Sequence, residues 1–151
     1  MSNLADRAEI HELIMRYPRA LDGRDWALLR TCFVHEGVLR AEHQDGRHIF
    51  LFDGAEKVVS RVSRLDRYKV TMHFMGNELV ELDGDTATTE VYAIATHIWD
   101  GTAGAGEWVI GIRYQDTVVR TGDGWKFKDR LLIYDWEKGE PRYLEDERRR
   151  V

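Results

Sequence analysis

The sequence predicts an α+β fold, with N-terminal helices packed on one face of a curved antiparallel sheet. Three observations carry this. Helical periodicity is confined to the stretch before Leu65. Four long strand candidates follow from Val70 onward. Short Gly/Asp turns, Asp83-Gly84-Asp85 and Thr121-Gly122-Asp123-Gly124, join them in pairs, as in antiparallel hairpins. A length of 151 residues suits one such domain.

The first helix spans Leu4 to Leu21. Ile10, Leu13, Ile14, Tyr17 and Leu21 form one apolar stripe, Ser2 or Asn3 can cap it, and Asp6 and Glu9 sit in its first turns. Pro18 removes one N–H and should kink or shorten it, and Gly23 breaks it. Asp25 can cap a second short helix with Trp26, Leu29 and Phe33 on one face. Val38–Ala41 and His48–Phe52 read as short strands around Gln44-Asp45-Gly46. A third helix covers Gly54 to Leu65, with Ala55, Val58, Val59 and Val62 inward. The long strands are Val70–Leu82, Thr86–Trp99, Trp108–Arg120 and Trp125–Trp136. A sheet of that length must twist, so its concave face can enclose a pocket against the helices. The domain is expected over residues 1–136, followed by a charged tail over 137–151 in which Tyr143 and Leu144 offer a possible subunit contact.

A net charge of −5 argues against sequence-independent nucleic-acid binding. No apolar run reaches membrane-span length, and the N-terminus lacks the apolar stretch of a signal peptide. The single cysteine, Cys32, excludes an internal disulfide and suits a cytoplasmic setting. No phosphate-cradling glycine motif and no Gly-x-Ser-x-Gly elbow is present, and no local ligand motif supports a metal site, so no cofactor is expected.

Chemistry is expected at five positions. His73 and His97 each sit inside an apolar strand, and His97 shares a face with Val91, Ala93 and Ala95, small residues that leave room for a cavity. Either can equally be a core histidine held by one hydrogen bond. Asp22 ends an apolar stripe, where a carboxylate is costly unless paired. It reads as a turn residue or as the partner that fixes a histidine tautomer. Arg130 is a surface residue between strand neighbours or a charge that stabilises an anion. Tyr17 is core or a phenolic donor. Trp26, Met75, Trp99, Tyr114 and Trp136, with Phe50 and Phe52, are the candidates for shaping a pocket for a small apolar ligand. Strand parity is open near Gly76 and Gly111, where a bulge would flip the alternation. His11, His35, His43 and His48 read as surface histidines.

Leu4-Ala5-Asp6-Arg7-Ala8-Glu9-Ile10, Arg16-Tyr17, Leu21-Asp22, Asp25-Trp26 and Cys32-Phe33 resemble the opening of SnoaL-like proteins of the nuclear transport factor 2-like superfamily. Arg113-Tyr114-Gln115-Asp116, Val119-Arg120-Thr121, Gly124-Trp125 and Arg130 resemble that family's closing hairpin. The resemblance implies a cone of curved sheet closed by N-terminal helices, with a deep pocket. In the family's dehydratase and dehydrochlorinase members an Asp after the first helix pairs with a His on a central strand. Asp22 and His73 fall on those positions, Arg130 matches a last-strand Arg, and His97 lies near a second pocket His. Tyr17 stands where the dehydrochlorinase pattern has Lys. The implied activity is a cofactor-independent lyase or isomerase whose Asp–His dyad removes a carbon-bound proton. The alternatives are a ligand-binding or partner subunit, like the β subunits of aromatic-ring dioxygenases, or a polyketide cyclase. The family also implies a homo-oligomer, trimer or dimer.

Overall fold

The computed structural model describes residues 3–100 and 104–142. Tyr143 and Leu144 lie outside the described residues. The chain begins with α1 (Asn3–Asp22) and α2 (Trp26–Thr31), then β1 (Phe33–His43) and β2 (His48–Asp53). Helix α3 (Ala55–Val62) runs into a 3-10 turn (Ser63–Arg67). The strands β3 (Val70–Asp83), β4 (Thr86–Trp99), β5 (Gly106–Thr121) and β6 (Gly124–Gly139) complete it.

The sheet order is β2-β1-β6-β5-β4-β3, curved and unclosed, with α1 lying across β3. It is mixed, because β1 runs parallel to β6 while the other neighbours are antiparallel. From β2 the chain crosses to the far edge through α3 and returns by hairpins, so β6 arrives beside β1 in the same direction. The α1 stripe is buried as its spacing predicts, with Ile10, Leu13 and Ile14 fully covered. Pro18 does not shorten α1, which continues to Asp22. Asp6, near the start of α1, is nearly buried but satisfied, by Arg120 Nη2 at 2.7 Å and the Trp125 indole at 3.3 Å. That contact pins one end of α1 to the sheet and helps fix where Asp22 emerges at the other.

Asp25 caps α2, its carboxylate accepting from Leu28 N at 2.9 Å. Phe33 belongs to β1 rather than to the second helix, and its ring packs 5.4 Å from Phe127. Register shifts fall between Gly76 and Glu78 and between Gly111 and Ile112, the two places where the sequence leaves the alternation open. Among the described residues no helix is long and apolar enough to cross a membrane.

Candidate active site

The concave face, α1 and the α3–turn segment surround a cavity of about 470 Å³. Apolar side chains such as Leu39, Ile110, Ile112 and Leu132 form most of its wall. The rings of Tyr17, Tyr68, Trp108, Tyr114 and Tyr134 add aromatic surface, and His43, His73, His97 and Glu137 are polar points in it. Such a wall suits a ligand with a flat apolar body and a few polar atoms.

Asp22 ends α1 directly opposite β3. Its carboxylate accepts three hydrogen bonds from that strand: Thr71 Oγ1 at 3.0 Å, the His73 backbone N–H at 2.9 Å and His73 Nδ1 at 2.7 Å. Burial alone would raise the Asp22 carboxyl, but the His73 side chain and backbone, with Thr71, hold it below the usual range. Arg24 braces the arrangement, donating to Thr71 Oγ1 at 2.7 Å, to Leu21 O and to Tyr68 O. Arg24 adopts φ 56°, a left-handed conformation unfavourable for a side chain of its size. The Arg24 hydrogen bonds to both sides of the corner hold it there.

The His73 ring is only 5% exposed and lines the cavity. With Nδ1–H donating to Asp22, its Nε2 keeps a free lone pair. His97 is 5.7 Å away, ring to ring, and its Nδ1–H donates to Trp108 O at 3.2 Å. Burial, with the His73 charge next, pushes His97 down to about 4. It is therefore neutral at pH 7 and presents a second acceptor.

The depressed His97 value makes stability depend on pH. Unfolded His97 protonates near its ordinary pH, while the folded ring resists until far lower pH. Its contribution is thus full at neutral pH and is lost as pH falls from about 6.5 to about 4, by up to about 3 kcal/mol. His97→Asn keeps a donor for Trp108 O. Urea melts across that window should show the wild type losing stability relative to this variant as pH falls. Parallel curves would contradict it.

Tyr17 and Tyr114 line the cavity floor, and behind them lies Arg130, fully buried. Its guanidinium carbon is 4.2 Å from the Tyr17 centroid, 4.0 Å from Tyr114 and 4.2 Å from Phe127. Asp116 Oδ2 is 3.4 Å from Nη1, and burial raises that carboxyl to about 6 despite the neighbouring cation. Among the described residues Arg130 Nε, Nη1 and Nη2 have no hydrogen-bond partner.

Of the expected residues, the structure brings Asp22 and His73 into contact and places His73, His97, Tyr17 and Tyr114 on one cavity wall. Arg130 is neither at the surface nor on the wall; the Tyr17 and Tyr114 rings stand between it and the cavity. Phe50 and Phe52 line the cavity too, and the remaining four pocket candidates are off the wall. Trp26 and Met75 are half-buried against the core, Met75 facing inward on the strand that α1 crosses. Trp99 sits at the end of β4, against Gly106 and 6.1 Å from Tyr68. Trp136 is on the outer face, because the register shift at Gly111 makes Asp135 an extra residue and reverses the alternation after Tyr134.

Sequence reasoning missed Tyr68, Trp108, Tyr134, Glu137 and His43. His43 is drawn inward because β1 continues to it and pairs it with Tyr134. Its Nδ1 lies 3.6 Å from Glu137 Oε1, while the Trp108 indole donates to Glu137 Oε2 at 3.0 Å. Among the described residues no three His, Cys, Asp or Glu converge as metal ligands would.

Residues 2–131 match the SnoaL-like domain family. The uncharacterized protein Rv2910c of Mycobacterium tuberculosis is 31% identical over 142 residues, covering 91% of each chain. The Kfla4162 protein of Kribbella flavida superposes with a TM-score of 0.81 at 23% identity, over 91% of this chain and 95% of that one. A Novosphingobium aromaticivorans protein proposed as a scytalone dehydratase gives 0.81 at 20% identity, over 94% and 92%. A type 2 hexachlorocyclohexane dehydrochlorinase gives 0.76 at 17% identity, over 93% and 92%. These structural likenesses are likenesses of fold.

Proposed function

The chain belongs to the SnoaL-like domain family, and on that footing we propose that it is a cofactor-independent lyase or isomerase acting on a small, largely apolar cyclic molecule. One observation carries the reading: the 2.7 Å contact between Asp22 Oδ1 and His73 Nδ1, with the His73 ring in the wall of a mainly apolar cavity. Asp22 holds the tautomer whose Nε2 is basic. His73 Nε2 takes a proton from carbon beside a carbonyl or a leaving group. The electron pair passes to oxygen or expels the leaving group, and Asp22 stabilises the imidazolium. Returning the proton to another carbon gives isomerisation; loss of the leaving group gives elimination. The dehydratase and dehydrochlorinase neighbours are named for eliminations, the second of these outcomes.

The direct test is nitrogen NMR of the His73 ring at fixed pH. The wild type should show the tautomer with the proton on Nδ1, and Asp22→Asn should lose it, because the acceptor at Nδ1 is gone. A ring with the same nitrogen pattern in both proteins would leave a ligand-binding protein as the better account.

The same reading extends to assembly. Met72, Phe74, Ile94, Tyr92 and Trp136 share the outer face of β3, β4 and β6, and Phe74 is 69% exposed. A grouped apolar face of this kind marks a contact surface, and we assign it to other copies of the chain. Sedimentation should find a dimer or trimer that Phe74→Glu dissociates. A monomeric wild type would overturn the assignment.

A further inference from the structure

Arg130 poses a question that the dyad does not answer. A guanidinium with no exposed surface is held against three aromatic faces with no hydrogen bond from its N–H groups, its one ion-pair contact among the described residues being Asp116 Oδ2 at 3.4 Å. Burying a charge this way is costly unless the charge has a use. Two of the three rings, Tyr17 and Tyr114, form cavity wall. Among the described residues neither hydroxyl has a hydrogen-bond partner of its own, so both are available to a ligand.

We propose that Arg130 is a positioning residue that acts through Tyr17 and Tyr114. Its charge, held against their rings, makes their hydroxyls the donors for the oxyanion that proton removal beside a carbonyl creates. The inference rests on the lyase or isomerase reading and narrows it.

Several observations support the assignment. A cation about 4 Å from each ring is close enough to act on the phenol oxygen, and the water-poor surroundings leave it weakly screened. Burial raises both phenols, Tyr114 to about 12, so they remain protonated donors; Arg130 opposes that rise in each and outweighs Asp116 in each. The groups facing this floor are Asp22, Tyr134 and Asp116, with His73 and His97 on the same wall. His73, Tyr17 and Tyr114 line the same cavity, which sets the donors and the dyad around one volume. A planar guanidinium can face several rings at once, as an ammonium cannot. In the step itself, His73 Nε2 takes the α-proton and the C–H pair becomes the C=C of the enolate. The carbonyl π pair moves to oxygen, where Tyr17 and Tyr114 donate to it. Return of the proton restores the carbonyl.

The test uses 4-nitrophenol, whose anion absorbs visible light and whose acid does not, titrated with the full-length protein at several pH values. Bound to the wild type, it should ionise about one unit or more below its free value, a tenfold preference for the anion. Tyr17→Phe and Tyr114→Phe should each shrink that shift. Arg130→Met alone risks unfolding, so the cation is removed in Arg130→Met/Asp116→Leu, with circular dichroism as the check on folding; the shift should fall to a few tenths of a unit. His11→Ala, outside the cavity, must keep the full shift. If the shift responds to His73→Ala but to neither tyrosine, the anion arises by proton transfer to His73, and the inference falls while the dyad reading stands. Absence of binding, an unshifted wild type, or a shift that survives both Tyr114→Phe and the double variant would also overturn it. A shift that behaves as expected beside a His73 ring indifferent to Asp22→Asn would sink the dyad and leave the donor pair.

Discussion

Replacing His73 by alanine, or Asp22 by asparagine, is expected to slow deuterium exchange at the α-carbon of 2-tetralone in D2O by about 10²–10⁴-fold, the usual weight of a positioned general base. The two variants fail for different reasons. His73→Ala removes the base. In Asp22→Asn the new side chain is nearly isosteric and can keep its oxygen in the Oδ2 position, still accepting from the His73 backbone, so the corner between α1 and β3 stays closed. Its amide, however, can donate to Nδ1, which leaves the proton on Nε2, where the base is needed. Exchange followed by proton NMR, with circular dichroism to show intact folds, decides the matter. Rates within about threefold of the wild type in either variant would mean that His73 is not the base.

Arg130→Met should destabilise the protein by about 3–5 kcal/mol at neutral pH, because it strands Asp116 as an uncompensated charge in the core. The sign of the pH dependence is fixed. Asp116 is already raised to about 6 by burial, and losing the cation raises it further. A carboxyl raised in the folded state stabilises below its unfolded value and loses that contribution as pH rises through its folded value. The variant should therefore recover stability toward about pH 5 and lose it again above neutrality. Adding Asp116→Leu removes both charges and should return stability to within about 1 kcal/mol of the wild type. Urea denaturation at the two pH values measures each quantity. A double variant as unstable as the single one would show that the guanidinium is needed for packing rather than for charge balance.

Much of the architecture is readable from local pattern. The α1 stripe, the small-residue face around His97 and the Gly/Asp turns each follow from spacing alone, because each reports one element's own burial. Pairing between distant elements leaves no such mark. An inward-facing strand alternates in the same way whether its neighbour runs parallel or antiparallel, so the β1–β6 direction is invisible in the sequence. One extra residue opposite Gly111 moves Trp136 to the outer face, a shift that changes no composition. Arg130 sits between Asp129 and Leu131, and a charge beside another charge reads as surface; only the fold shows three rings around it. Asp22 and His73 are 51 positions apart, and family resemblance, not spacing, joins them. His43 reads as a loop residue because its inward orientation depends on Tyr134, far along the chain.

Strand β6 follows every other strand of the sheet in the chain, yet β1 has no other inner neighbour besides it. The Arg40–Asp129 contact across that seam closes 89 residues. Until β6 docks, the β1–β2 hairpin and the β3–β5 ribbon have nothing between them, and the apolar lining that later encloses a ligand is open to water. Such long closures fold slowly. The hollow therefore closes only when the β1–β6 seam zips, so its lining is the last part of the sheet to be shielded from water.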